Sequence, residues 1–431
     1  MRKRTRLVGL KNHGEIIHLL QGGAGNFFRC VLWNTFDDPT PSVTSVYEVF
    51  VSEPTSRGRL PPNPQNASLA ATLCKIRSMK RGGLITLTSS GLYCKQGDFH
   101  IDPWKPVKKA VVTHAHADHA YRGNTRYLVA KAGERLARIR LDEGAKIATQ
   151  EYGKATTVDG VRISFHPAGH ILGSAQVRVE YKGEIWVISG DYKLTPDATC
   201  EPFESIKCHH FVTEATFGLP IYRWPPTAQI FEEINGWWRR NAERGKASVI
   251  FAYALGKAQR VMSGIDRSIG PIFTHGAVER LTQAYREEGV DLPETTYAGS
   301  VSGKKEFPGS LIIAPPSAQA STWLRRFGTQ STGFASGWMM VRGARRQRAV
   351  DRGFVLSDHA DWPELLTAIK AAEAETVYVT HGFVPELVRY LNETGHNAVP
   401  LKTQYVGDDA PEMQDEETET RPVDWEAEDR N

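Results

Sequence analysis

The sequence predicts an α/β protein of two domains, and three observations carry that expectation. Residues 155 to 190 are dense in strands. From about residue 223 apolar strands alternate with amphipathic helices, and "VVTHAHADHAYRG" (111–123) crowds three histidines and an aspartate behind an apolar run. Strands that lead into amphipathic helices bury their apolar faces as layers of sheet and helix. At 431 residues the chain is long enough for two such units, or for one carrying a large insertion.

The elements follow in order. The first 78 residues include the loop-like "EPTSRGRLPPNPQNAS" and show no persistent period, so 1–82 is set apart as an extension of no assigned structure. From Gly83 the pattern changes. "LITLTSSGLYC" and "GDFHIDP" read as strands around turns, and "VKKAVVT" as a buried strand. "ATTVDGVRISFH" turns on Asp-Gly, and "AQVRVEYKGEIWVISGD" alternates Val177, Val179 and Tyr181 before a Lys-Gly turn. "AQIFEEINGWWRR" reads as a helix. "ASVIFAYALGKAQRVM", "GPIFTHGAVERLTQAY" and "GSLIIAPPSAQASTWLRRF" each run from strand into amphipathic helix. After "RGFVLSDHADWPELLTAIK" and "TVYVTHGFVPELVRYL" comes a short strand, "NAVPL".

Composition narrows the function classes. Apolar content of 40% and charged content of 24% suit a globular protein. No window approaches 18 uninterrupted apolar residues, and "MRKRTRLVGL" leads into no hydrophobic segment, which argues against membrane and secretory readings. The five cysteines are scattered without a CxxC pair, so neither a disulfide framework nor a thiolate zinc site is expected, and a reducing cytoplasm is. Residues 408–431 hold eleven acidic side chains against two arginines. The net +4 of the whole chain therefore leaves +13 on the rest, a body suited to a polyanion, with an acidic disordered tail expected over 406–431.

In an extended segment leaving a strand, residues two apart share a side, so His114 and His116 can converge on one cation. Asp118 and His119 follow at the turn and can reach a second. Imidazole and carboxylate suit zinc, manganese or iron, whereas surface polarity at a strand end seldom produces three histidines and an aspartate in six positions. Further ligands are sought at strand ends: His170 in "PAGHILGS", Asp191 in "ISGDYK" and His381 in "YVTHGF". His166, His209, His210 and His275 are set aside as structural.

Taken in order, these motifs resemble the metallo-β-lactamase superfamily. "VTEATFGLP", "ALGKAQR" and "LSDHADWPEL", with "GLYCKQGDFHIDPW" and "FHPAGHILGSAQ", are similar to its β-CASP nuclease branch and closest to bacterial exonucleases associated with ATP-dependent DNA ligases. The resemblance covers about 83–405. It implies a four-layer αβ/βα core over 83–222 and 353–405, with an α/β β-CASP domain inserted over 223–352. It also implies two divalent ions, zinc with manganese as the alternative. His114, His116 and His170 would hold one ion, Asp118, His119 and His381 the other, with Asp191 bridging and Asp102 supporting the ligand loop. Glu214 and His359 match the branch's own additions.

Two ions would activate water for attack at phosphorus, and a protonated His359, oriented by Glu214, would supply the proton the leaving oxygen needs. Arg342, Arg345, Arg346 and Arg348, with Trp338 as a stacking face, are expected to contact the nucleic-acid backbone. The implied activity is single-strand exonucleolytic hydrolysis of DNA in repair, beside a ligase and a helicase. RNA processing, small-molecule thioester or lactam hydrolysis, and non-catalytic nucleic-acid binding stand as rivals.

Overall fold

The structure is a computed structural model that describes residues 10–12, 15–21, 27–34, 43–50, 83–142, 144–301 and 306–403. The chain divides into two compact units, Met1–Lys75 and Ile76–Asn431. In the first, strands Leu10–Asn12, Glu15–Gln21, Phe27–Asn34 and Val43–Phe50 form an antiparallel sheet in chain order. This is structure where the sequence analysis assigned none; β-branched and aromatic runs such as "FFRCVLWN" and "VTSVYEVF" favour strand even without strict alternation. The expected acidic tail lies outside the described residues.

The second unit contains three sheets. The first has six strands paired in strict chain order, from Ile85–Thr88 to Lys146–Gln150, antiparallel at the start and parallel at the end. A second sheet of seven runs from Ala155–Val158 to His210–Ala215 and then takes up Thr376–Gly382 and Ala398–Pro400. Alternation along the strands sorts the side chains into layers. Val111, Ile101, Phe99 and Ile85 of the first sheet share one buried cluster with Ile163, Val177, Trp186 and Tyr378 of the second. The opposite face of the first sheet, Ala110, Val112 and Tyr127, packs on the helix Glu134–Arg140. The opposite face of the second, Val187, Phe211 and Val379, packs on the helices Trp362–Ala372 and Val384–Glu393. Helix, sheet, sheet, helix: this is the four-layer α/β fold that the sequence predicts.

Between Ala215 and Thr376 the chain builds a third sheet of six parallel strands, ordered from Thr296–Tyr297 through Ile272–Thr274, Leu311–Ala314, Ala247–Phe251 and Gln330–Ala335 to Arg352–Phe354. Arg352–Phe354 pairs with Gln330–Ala335 at the edge of this sheet. Its central strand Ala247–Phe251 is buried at every position, as a parallel sheet covered on both faces requires. One expected helix is absent. After Leu311–Ala314 the prolines at 315 and 316 and the cap by Ser321 break "PPSAQASTWLRRF" into two 3₁₀ turns, Pro316–Ala320 and Thr322–Phe327.

The inserted core is continuous with Ala115, Ile171 and Leu172, which flank expected ligands of the first domain. Trp238, on the helix Thr227–Ala242, is fully buried there and donates from Nε1 to the Gly309 carbonyl at 2.9 Å. Trp238→Ala is expected to lower stability by about 3–5 kcal/mol. Urea unfolding followed by tryptophan fluorescence and far-UV circular dichroism checks this; a midpoint equal to wild type would refute it.

Candidate metal centre

Hydrogen bonds from Asp102 and from the main chain fix the loop "THAHADH". Asp102, at φ 42°, accepts from the Thr113 amide through Oδ1 (2.8 Å) and from the Thr113 hydroxyl through Oδ2 (2.7 Å). The His119 and Ala120 amides turn back to the His116 carbonyl at 3.2 and 2.7 Å. His170, Asp191, Glu214 and His381 each stand at or just past the C-terminal end of a strand of the second sheet. A bulge between Glu214 and Ala215 re-aims this end of the sheet, opposite His381 and Gly382. His381 sits at φ 53°, and at Gly382 a Cβ would come within 2.3 Å of the Ala215 carbonyl, so only glycine fits there.

Three imidazoles meet edge to edge. His114 Nε2 is 3.0 Å, and His170 Nε2 3.1 Å, from His116 Nδ1, with the ring planes 74–85° apart. The outer nitrogens fix where the protons are. His116 Nε2 faces the Leu255 carbonyl at 3.3 Å, and His170 Nδ1 the Asp358 carbonyl at 2.9 Å. His114 Nδ1 lies 3.1 Å from the Thr113 hydroxyl, which spends its own proton on Asp102. Carbonyls only accept, so each ring donates outward and turns a bare lone pair inward. Burial, foremost, holds all three imidazoles below their ordinary range and so neutral. Three facing lone pairs have no hydrogen-bond solution; a cation satisfies them, and neutral imidazole is the form that binds one.

Asp191 Oδ2 lies 3.6 Å from His114 Nε2, 3.9 Å from His170 Nε2 and 3.5 Å from His119 Nε2, and so faces both halves of the cluster. Burial opposes its charge, but His119, His359 and His114 hold its carboxyl well below the usual range. His119 gives Nδ1 to Asp102 at 2.7 Å. Its Nε2 is buried without a hydrogen-bond partner, 3.5 Å from both Asp118 and Asp191. Burial disfavours the His119 cation, yet the carboxylates of Asp118, Asp191 and Asp102 raise its pKa well above the ordinary value. His381 stacks on His119 with ring centroids 5.4 Å apart. An orphaned buried nitrogen between two carboxylates, beside a nest of lone pairs, fits the imidazole–carboxylate chemistry of divalent metal ions.

Next to this cluster His359 Nδ1 meets Glu214 Oε2 at 2.9 Å, while Glu214 Oε1 accepts from the Tyr192 amide at 2.8 Å. The His359 ring lies 4.6 Å from that of His170, and its carbonyl accepts from Trp224 Nε1. Burial works against the imidazolium, but Glu214 first, with Asp191 and Asp358, raises its pKa to about 10.

The expected substrate contacts are more scattered. Arg342 and Arg346 are exposed on the helix Arg342–Gln347, whereas the side chain of Arg345 lies outside the described residues. The Arg348 guanidinium covers the Phe334 ring at 4.5 Å, and Trp338 packs on Phe217, which is 6.1 Å from His359. Histidines set aside from sequence have structural partners: His275 caps the helix Gly276–Glu287, His209 accepts from the Ile185 amide, and His166 pairs with Glu204. Sequence reasoning missed Leu255, Lys257, Arg260 and Asp358 as neighbours of the cluster, although "ALGKAQR" and "SDHADW" had been noted.

A four-layer α/β core with a histidine–aspartate cluster at the strand ends, and a parallel α/β domain inserted before its last strands, defines a metal-site scaffold rather than one protein. No protein-family model matches the chain. Three relatives do. A "Probable DNA ligase" of Opitutus terrae is 32% identical over 313 residues, 72% of this chain and 30% of that protein. An "RNase J-like protein" of Methanocaldococcus jannaschii is 25% identical over 215 residues, 42% of this chain and 50% of that one. An "Endoribonuclease ysh1" of Aspergillus fumigatus is 31% identical over 125 residues, 28% of this chain and 14% of that one. The chain belongs to the metallo-β-lactamase superfamily, in its β-CASP branch. It spans half or less of the length of each of these relatives. A solved protein of unknown function from Enterococcus faecalis V583 covers 93% of the chain at 11% identity and a TM-score of 0.49, too weak a likeness to carry an argument. Among the described residues no helix is long and apolar enough to cross a membrane.

Proposed function

We propose that the protein is a metal-dependent nuclease that hydrolyses DNA phosphodiester bonds, working from an end on single strands, in repair beside an ATP-dependent ligase. The observation that carries this reading is the buried His359–Glu214 pair, held against the metal-ligand cluster through His170. A dinuclear hydrolase of any substrate could use the cluster; a charged imidazole beside it supplies a proton to a 3′ leaving oxygen.

His114, His116 and His170 would hold one ion and Asp118, His119 and His381 the other, with Asp191 shared; zinc suits this donor set, and manganese is the alternative. Bound divalent ions supply Lewis acidity, activating water and offsetting charge on phosphate oxygens. Asp102 and Thr113 keep the His114 and His119 rings in the tautomers that face inward. Glu214 keeps His359 charged and, by engaging Nδ1, leaves Nε2 as the nitrogen that can give up a proton. Arg342 and Arg346, exposed beside Trp338, support backbone contact by guanidinium and aromatic stacking; Arg348, folded over Phe334, supports it least.

DNA is favoured because the first relative is named a DNA ligase, and its length beyond the matched region suits a ligase partner. RNA is the second reading, favoured by the names of the other two relatives. Catalytic groups that address phosphate do not distinguish the sugars. Matched single- and double-stranded DNA and RNA oligonucleotides, labelled at either end and incubated with zinc or manganese, test it. Stepwise shortening of single-stranded DNA is expected, and preferential RNA cleavage would overturn the DNA assignment.

A further inference from the structure

We infer that Arg260 and Lys257, carried by the inserted domain in "ALGKAQR", are positioning residues for His116, His170 and His359, so that the inserted domain sets the affinity of the metal centre. The inference rests on the metal-ligand reading above.

Arg260 is 1% exposed. Its Nε lies 2.8 Å from Asp197 Oδ2, Nη1 donates to the Ser357 carbonyl at 2.6 Å, and Nη2 donates to the carbonyl of His170 itself at 3.3 Å. One planar guanidinium thus ties the His170 loop to the segment before His359. A buried charge is tolerated only when compensated, and Arg260 stands against the Asp197 carboxylate and donates to two carbonyls. Lys257, its side chain 5% exposed, lies 3.2 Å from Asp358 Oδ1 and 4.3 Å from the centre of the Tyr253 ring. Asp358 is the residue whose carbonyl takes the His170 Nδ1 proton, and its Oδ1 lies 3.9 Å from His359 Nε2. Anchoring the Asp358 side chain therefore fixes the main chain that selects the His170 tautomer.

The entry to the same helix, Lys257–Ser263, completes the set. The Leu255 carbonyl takes the His116 Nε2 proton, and Gly256, at φ 89°, lets the loop come close; a Cβ there would meet Ile171 Cγ2 at 2.3 Å. Neither the His116 nor the His170 tautomer is set by a side chain of the first domain. Both are set by main chain that the inserted helix holds in place, and loss of such outer contacts characteristically weakens a metal site about 10- to 100-fold.

The test uses the full chain as wild type, Arg260→Lys and Lys257→Met, each stripped with a chelator and titrated with zinc against a chromophoric competitor. Lysine keeps the charge but lacks the fork that reaches two carbonyls. Zinc binding is expected to weaken about 10- to 100-fold in both variants, with turnover recovering towards wild type at saturating zinc. A purely structural role would instead reduce the folded fraction and leave the affinity of what folds unchanged. If Arg260→Lys does not fold by circular dichroism, Lys257→Met decides alone. Unchanged zinc affinity in the folded variants overturns the inference while leaving the metal reading intact, whereas a wild-type protein that binds no zinc overturns both.

Discussion

Asp191→Ala is expected to remove at least one of the two proposed ions and to lower the proposed phosphodiester cleavage by more than the roughly 100-fold that loss of a hydrogen-bond partner of a ligand costs. Among the described residues, Asp191 Oδ2 is the one carboxylate oxygen within 4 Å of imidazoles on both sides of the cluster, His114 and His170 on one side and His119 on the other. Its removal leaves the three facing lone pairs of His114, His116 and His170 without anionic compensation for a dication. It also takes from His119 one of the carboxylates at which its unpartnered Nε2 points. Metal analysis of dialysed wild type and variant, with cleavage measured on the same samples, reads both effects. A variant with wild-type metal content and turnover would sink the shared-ligand assignment.

His359→Ala is expected to lower kcat by about 10²- to 10⁴-fold, the usual contribution of a positioned proton donor, with metal content unchanged. Glu214→Gln is expected to act in the same direction. Glu214 accepts from two donors at once, the Tyr192 amide and His359 Nδ1, and an amide side chain has only one oxygen to offer them. The His359 charge and ring orientation would both be lost. A phosphodiester with a nitrophenol leaving group departs without a proton, so its cleavage should fall far less in either variant than cleavage of DNA. Equal losses on both substrates would mean that His359 does not serve as the acid; retention of full activity on DNA would remove it from the reaction.

Much of this was legible in residue types and spacing. The strands that build the two core sheets follow the chain order of the apolar runs, and alternation marked one of them, at Val177 and Val179, both buried in the shared core. Six positions holding three histidines and an aspartate announced metal chemistry before any fold was known. The four strands of the first unit were missed because their apolar runs do not alternate. The helix expected after Leu311–Ala314 failed because paired prolines and a serine cap outweighed its apolar spacing.

The remainder depended on where the chain travels. His359 meets Glu214 across 145 residues, His170 meets the Asp358 carbonyl across 188, and His116 meets the Leu255 carbonyl across 139. The first of these contacts joins two side chains suited to one another, and a motif resemblance could point to it. The other two end on main-chain carbonyls, which every residue possesses and no residue type marks. Leu255 and Asp358 acquire their roles because a parallel sheet inserted between Ala215 and Thr376 folds back with a buried arginine and lysine at its rim. Residue chemistry thus named the candidate ligands, while the path of the backbone chose which nitrogen each would offer.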